Sequence, residues 1–130
     1  MSNLAGNIRI IRFTQVRLFF FSNKKIDIHR KKGNHNEARD LYLKSLKQVE
    51  AHYGDNHPSV ADIMNNLGML TKKEGKYNEA INYLKQAIKI SRHYYGREHP
   101  SIGIYLTNIG DVYRKVRKIT LMKSFLVRSI

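Results

Sequence analysis

The chain contains an internal repeat of 42 residues, and this repeat restricts the possible folds more than any other feature. The segment 53–59 returns as 95–101, with Tyr-Gly and His-Pro-Ser at the same places in both copies. Between residues 52–74 and 94–116, 8 of 23 positions are identical. Matching Gly and Pro at a fixed offset indicates repeated backbone geometry, because both residues have special conformational ranges. The chain is therefore expected to be a stack of similar units.

Each unit is predicted to be a pair of antiparallel helices. Pro58 can occupy the first position of a helix, where its missing N–H is not needed, and apolar residues then follow at helical spacing. Gly75 is expected to end this helix and Asn78 to cap the next one. Gly68 and Ala80 are small, as two closely approaching helices require. These features predict an all-α fold.

The pattern of packing residues resembles that of the tetratricopeptide repeat, whose usual unit has about 34 residues. The residues that carry the resemblance, and that are expected to pack the hairpins together, are Leu67, Gly68, Gly75, Tyr77, Ala80, Leu84, Ala87, Ile109 and Gly110. The additional length lies in the Tyr-Gly-x-x-His-Pro loop, which is similar to the kinesin light chain and nephrocystin-3 type of repeat. The resemblance implies an antiparallel helix-hairpin solenoid with about two intact units and degenerate ends.

The repeat region is expected at 33–130, with units near 33–54, 58–96 and 100–130. The last of these is degenerate, because Arg117 stands where the turn glycine of the pattern is expected. The first unit has a good second helix, and its first helix is expected near residues 18–31.

The net charge of +14 lies mainly at the two ends of the chain. Residues 1–32 carry +7 and residues 111–130 carry +5, whereas 33–110 carry only +2. The basic, apolar segment 1–32 is interpreted as a degenerate cap or a non-native end of the stack, with organellar targeting and a membrane-surface helix as alternatives. The charge makes a tail-driven binder of nucleic acid or anionic membrane the alternative function.

Several kinds of chemistry are disfavoured by the sequence. The chain has no cysteine, which excludes disulfides, thiolate nucleophiles and cysteine-ligated metal sites. His57 and His99 each precede a proline, and they are predicted to be turn and cap residues instead of metal ligands. No catalytic motif and no apolar run of about 18 residues is present. We expect no enzymatic activity, cofactor, metal or small-molecule substrate and no transmembrane segment, although the chain could be an interaction segment of a larger enzyme.

Asn66 and Asn108 are the main candidates for a binding role, since they occupy the same place in two units. Each lies two residues after a predicted core position, Met64 or Leu106, which places it beside the core stripe. In proteins that the chain resembles, this position lines a concave groove and bonds the backbone of a partner peptide. An amide suits this task because it both donates and accepts hydrogen bonds. The alternative is that Asn66 only stabilises local backbone.

The predicted groove is completed by polar residues that flank these asparagines, namely Asn65, Asp62, Lys73 and Lys115. With Lys72 and Arg114 they would favour an acidic peptide, although a solvated helix end explains the lysines equally well. The predicted function is a non-enzymatic protein–protein interaction module in the cytoplasm. By resemblance alone, it would be a kinesin-light-chain-like adaptor that links cargo to a microtubule motor, with kinesin heavy chain or cargo as partner.

Overall fold

The computed structural model describes residues 34–128, which form four helices and no strand. The helices are α1 (His35–Tyr53), α2 (Pro58–Lys73), α3 (Tyr77–Tyr95) and α4 (Pro100–Arg128). Consecutive helices pack against each other, and α2 also contacts α4. Their short connections make neighbouring helices antiparallel. The predicted all-α helix-hairpin solenoid is therefore confirmed, whereas the expectations for segment 1–32 and for a helix near 18–31 lie outside the described residues.

The two Tyr-Gly-x-x-His-Pro loops are built in the same way around a histidine. The His57 Nδ1 atom accepts a hydrogen bond from the Ser59 N–H at 3.1 Å, and His99 Nδ1 accepts from the Ser101 N–H at 3.3 Å. Each ring also stacks on the tyrosine four residues before it, with ring centroids 4.1 Å apart in the first loop and 3.6 Å in the second. The histidines are thus cap residues of α2 and α4, which explains why the whole loop recurs.

The turn between α2 and α3 depends on a glycine. Gly75 has a φ of +79°, which other residues rarely adopt, and α2 ends just before it as predicted. The N–H groups of Gly75 and Lys76 bond back to carbonyls of the last helical turn, each at 3.0 Å. The prediction that Asn78 caps α3 is wrong. The helix begins one residue earlier, at Tyr77, and its N-cap Lys76 makes no side-chain capping bond.

Two adjoining clusters form the core of the described region. The first lies between α1 and α2 and consists of Ala38, Tyr42, Val49, Val60, Ile63, Leu67 and Leu70. The second joins α2, α3 and α4 and consists of Ala61, Ala80, Ile81, Leu84, Ala87, Ile88, Tyr105, Ile109 and Val112. The half-buried Met64 and Ile90 contact both clusters, so the two layers of the stack share one continuous interior.

Helices α2 and α3 approach each other most closely at Gly68. A Cβ atom at this position would lie 3.0 Å from Leu84 Cγ and 3.3 Å from the carbonyl oxygen of Ala80. Ala80, Leu84 and Ala87 are fully buried, and Tyr77 is half-buried against them. The predicted packing residues of this unit therefore lie in or beside the interface between the two helices.

The third unit differs from the second in the course of its backbone. At Arg117 the chain makes no turn, and α4 continues as a single helix of 29 residues. No helix among residues 34–128 folds back onto the side of α4 that corresponds to the packed side of α2. Leu106, expected in the core, is consequently 45% exposed, and a Cβ atom at Gly110 would meet nothing within 4 Å. The expected packing role of Gly110 is thus not realised, whereas Ile109 is buried against α3.

Candidate binding groove

The faces of α2 and α4 that were predicted to line a groove are joined by two side-chain hydrogen bonds. The Tyr105 hydroxyl donates to Asp62 Oδ1 at 2.5 Å, and Asn108 Nδ2 donates to Asn65 Oδ1 at 2.8 Å. These bonds connect the first helix of one unit to the first helix of the next. The two bonds therefore bring Asp62, Asn65 and Asn108 close together where α2 and α4 meet.

Tyr105 is the residue at this surface that the sequence reasoning missed. Its ring is buried, with 3% exposure, and only the hydroxyl reaches Asp62. Burial and the hydrogen bond to Asp62 raise the pKa of the Tyr105 hydroxyl well above its usual range. The repeat did contain a signal, because Tyr105 occupies the position of the buried Ile63 in the preceding unit. A tyrosine at a buried position needs a partner for its hydroxyl.

Asn66 and Asn108 are equivalent in the repeat, but their surroundings differ. Both are half-buried. The Asn108 amide group donates to Asn65, which leaves the Asn108 carbonyl oxygen and the Asn65 amide hydrogens for other partners. The Asn66 side chain makes no hydrogen bond to any residue of the described range. The Asn66 amide therefore keeps both a donor and an acceptor without a partner in the described range.

A cluster of positive charge lies at the end of this surface. Burial, followed by the neighbouring charges of Lys115, Lys73 and Arg114, lowers the pKa of the Lys72 ammonium group. Lys72 and Lys73 lie in the last turn of α2 whereas Arg114 and Lys115 belong to α4, so the charges that lower this pKa come from both helices. Lys73 and Lys115 are exposed and form no ion pair with residues 34–128.

The carboxylates nearest to this cluster along the chain are already paired. Glu74 forms ion pairs with Arg39 of α1 and, at 3.5 Å, with Lys76. Asp111 pairs with Arg114 one turn later on the same helix. The charges of Lys72, Lys73 and Lys115 therefore remain to attract an anionic group.

Metal-binding clusters and membrane-spanning helices are both absent from the described residues. Within residues 34–128, no three His, Cys, Asp or Glu side chains are grouped so that they could hold a metal ion. None of the four helices there is long and apolar enough to cross a membrane.

Stacked antiparallel helix pairs with a shared core define a class of α-solenoid repeat proteins. The family model of the tetratricopeptide repeat matches residues 21–93 and 63–119, which together cover more than half of the chain. The chain belongs to the tetratricopeptide repeat family. No curated protein matches it in sequence.

Among solved structures, the chain is similar to the crystal structure of BtubC (BKLC) from P. vanneervenii, with a TM-score of 0.69 and 20% sequence identity. The match covers 85% of this chain and 44% of the BtubC chain, so the present chain spans less than half of that protein. At 20% identity, this similarity supports a shared fold and nothing more specific.

Proposed function

We propose that the chain binds a short segment of a partner protein along the surface formed by α2 and α4. The observation that carries this proposal is the half-buried Asn66 amide, which has no intramolecular partner in the described range and lies beside the bonded pair Asn65 and Asn108. Tetratricopeptide repeats are interaction scaffolds, and their stacked hairpins curve to form extended concave surfaces. A partner's backbone in this groove would both donate to and accept from such amides.

The charge of the groove determines which segments it would prefer. Lys72, Lys73 and Lys115 have no ion pairs within residues 34–128, whereas Asp62 is engaged by Tyr105. A segment that combines exposed backbone groups with a carboxylate would therefore bind better than a neutral one. The electrostatic part of this preference is expected to weaken as salt is raised.

The finer proposal is that the module acts in the cytoplasm as a kinesin-light-chain-like adaptor between cargo and a microtubule motor. It is supported by the 42-residue repeat with its Tyr-Gly-x-x-His-Pro loops and by the structural similarity to BtubC (BKLC). Kinesin heavy chain or a cargo protein would be the partner in this case.

The groove can be tested with a peptide array. The chain is incubated with immobilised 12-residue peptides of varied charge, and the best ligand is then titrated against the wild type and two variants. Asn66→Ala is expected to weaken binding about ten-fold, the effect of losing hydrogen bonds worth about 1.4 kcal/mol. The matched control is Asn82→Ala, an asparagine exposed on α3.

The double variant Asn66→Ala/Asn108→Ala extends the test to both units and is expected to abolish binding. Far-UV circular dichroism of each variant establishes that helix content is kept. If the selected peptide bound the Asn66 variants as tightly as it binds Asn82→Ala, the assignment of the groove would be wrong.

A further inference from the structure

The last three turns of α4 carry large apolar side chains in contact with solvent. Helix α4 has 29 residues, whereas the antiparallel α3 has 19. At about 1.5 Å per residue, the C-terminal part of α4 therefore extends well beyond the N-terminus of α3. We name residues 117–128 the distal segment, and every residue in it is exposed. Leu121 is 60% exposed, Met122 57% and Phe125 75%.

The distal segment is amphipathic. Leu121, Met122, Phe125 and Leu126 follow the spacing of one helix face and line a shallow, open apolar depression. The basic residues of the segment are Arg117, Lys118, Lys123 and Arg128. Residues 117–128 contain no acidic side chain, so every charge within the distal segment is positive.

We propose that the distal segment binds an anionic lipid surface. Exposed leucine, methionine and phenylalanine gain free energy when they enter the boundary between headgroups and acyl chains, and lysine stems can extend along it while their ammonium groups reach the headgroups. Charge complementarity selects an acidic lipid headgroup as the ligand. The site is distinct from the groove, since it uses only residues 117–128, whereas the groove residues of α4 end at Lys115.

The same observations disfavour two other occupants. A second copy of the chain would bring Arg117, Lys118 and Lys123 of both molecules together without any acidic residue of the segment to balance them. The phosphates of a nucleic acid would pair with the basic side chains, but most of the exposed apolar face would remain in water. A surface that is anionic at its headgroups and apolar beneath them uses both faces of the segment.

The test is co-sedimentation of the full chain with vesicles of phosphatidylcholine alone and with vesicles that also contain phosphatidylserine. The wild type is expected to bind only the second kind. Lys118→Gln/Lys123→Gln should reduce partitioning about thirty-fold, since each basic residue near an anionic surface contributes about a five-fold factor. Leu121→Ser/Met122→Ser should reduce it at least about ten-fold.

Matched controls separate the distal segment from the rest of the chain. Lys44→Gln/Lys47→Gln removes the same charge from exposed positions of α1, and Ile104→Ser/Leu106→Ser removes exposed apolar groups from the first half of α4. Both controls should bind as the wild type does. The proposal is overturned if no binding to phosphatidylserine occurs, or if the distal variants bind like the controls, which would assign binding to another basic part of the chain. It is also overturned if only the lysine variant loses affinity, because the interaction would then be one of charge alone.

Discussion

The pair Gly68 and Gly110 provides a direct test of how the units are packed. The two glycines occupy the same place in consecutive repeats, yet a Cβ atom would lie 3.0 Å from Leu84 Cγ at the first position and would contact nothing within 4 Å at the second. Replacing each by alanine therefore makes the same chemical change in two different environments. Comparison of the two variants isolates the effect of close helix packing.

The expected magnitudes follow from two opposing contributions. Alanine is favoured over glycine within a helix by about 1 kcal/mol, and this gain applies at both positions. At Gly68 the new methyl group must displace Leu84 or the backbone of Ala80, and such overpacking costs about 1–3 kcal/mol. Gly110→Ala is thus expected to raise the free energy of unfolding by up to about 1 kcal/mol, and Gly68→Ala to lower it by up to about 2 kcal/mol.

Urea denaturation followed by far-UV circular dichroism measures both values. The difference between the two variants should be about 1–3 kcal/mol, since the contribution of helix propensity cancels. In thermal unfolding this corresponds to roughly 4 °C per kcal/mol for a chain of this size. Equal effects at the two positions would refute the argument, because they would mean either that α2 and α3 separate easily or that α4 is covered at Gly110.

Two further predictions concern the contacts that hold α4 in place. Tyr105→Phe removes the hydroxyl that donates to Asp62 while keeping the buried ring, and it should lower the free energy of unfolding by about 1.5 kcal/mol, whereas Tyr113→Phe, at an exposed ring, should have almost no effect. A loss for Tyr105→Phe no larger than that for Tyr113→Phe in urea denaturation would show that the bond does not stabilise the fold. The second concerns His57, whose pKa is lowered chiefly by burial, with Asp62 acting in the opposite direction and His52 adding to the decrease. The unfolded chain then binds the proton more readily than the folded chain. The contribution of His57 to the free energy of unfolding is therefore complete above the usual histidine pKa of about 6.5, and it is lost as the pH falls from there toward the lower pKa of the folded chain. His57→Asn keeps a capping acceptor but has no titrating group. Between pH 7 and 5, the melting temperature of this variant should therefore change less than that of the wild type or of the control His93→Asn. Identical pH profiles would rule out His57 as the source of the pH dependence.

The repeated elements could be predicted from the sequence because they depend on local rules. Gly75 at a positive φ, Pro58 at the start of a helix and the small pair Gly68 and Ala80 are each determined by sterics within one unit. The same rules explain the capping role of His57. The capping prediction for Asn78 failed because α3 begins at Tyr77, so Asn78 lies within the first turn and not before it.

Contacts between units were less accessible to sequence reasoning. The spacing of 42 residues suggested that Asn66 and Asn108 act as an equivalent pair, but the side chain that bonds Asn108 is Asn65. A repeat relates positions in each unit to one another and does not reveal how one helix is rotated against the next. The repeat places Tyr105 at a buried position but does not reveal its partner, since Asp62 belongs to the preceding unit.

The unusual length of α4 and its uncovered side at Gly110 can both be traced to Arg117. In the second unit the chain reverses at Gly75, whose positive φ is strained for any residue with a side chain. Arg117 is a good helix former and stands at the equivalent place, so the helix continues where a turn would have begun. The residues that follow can then no longer cover Gly110. The arginine at this position thus leaves the packing side of α4 open and, at the same time, extends the helix into the exposed, amphipathic distal segment.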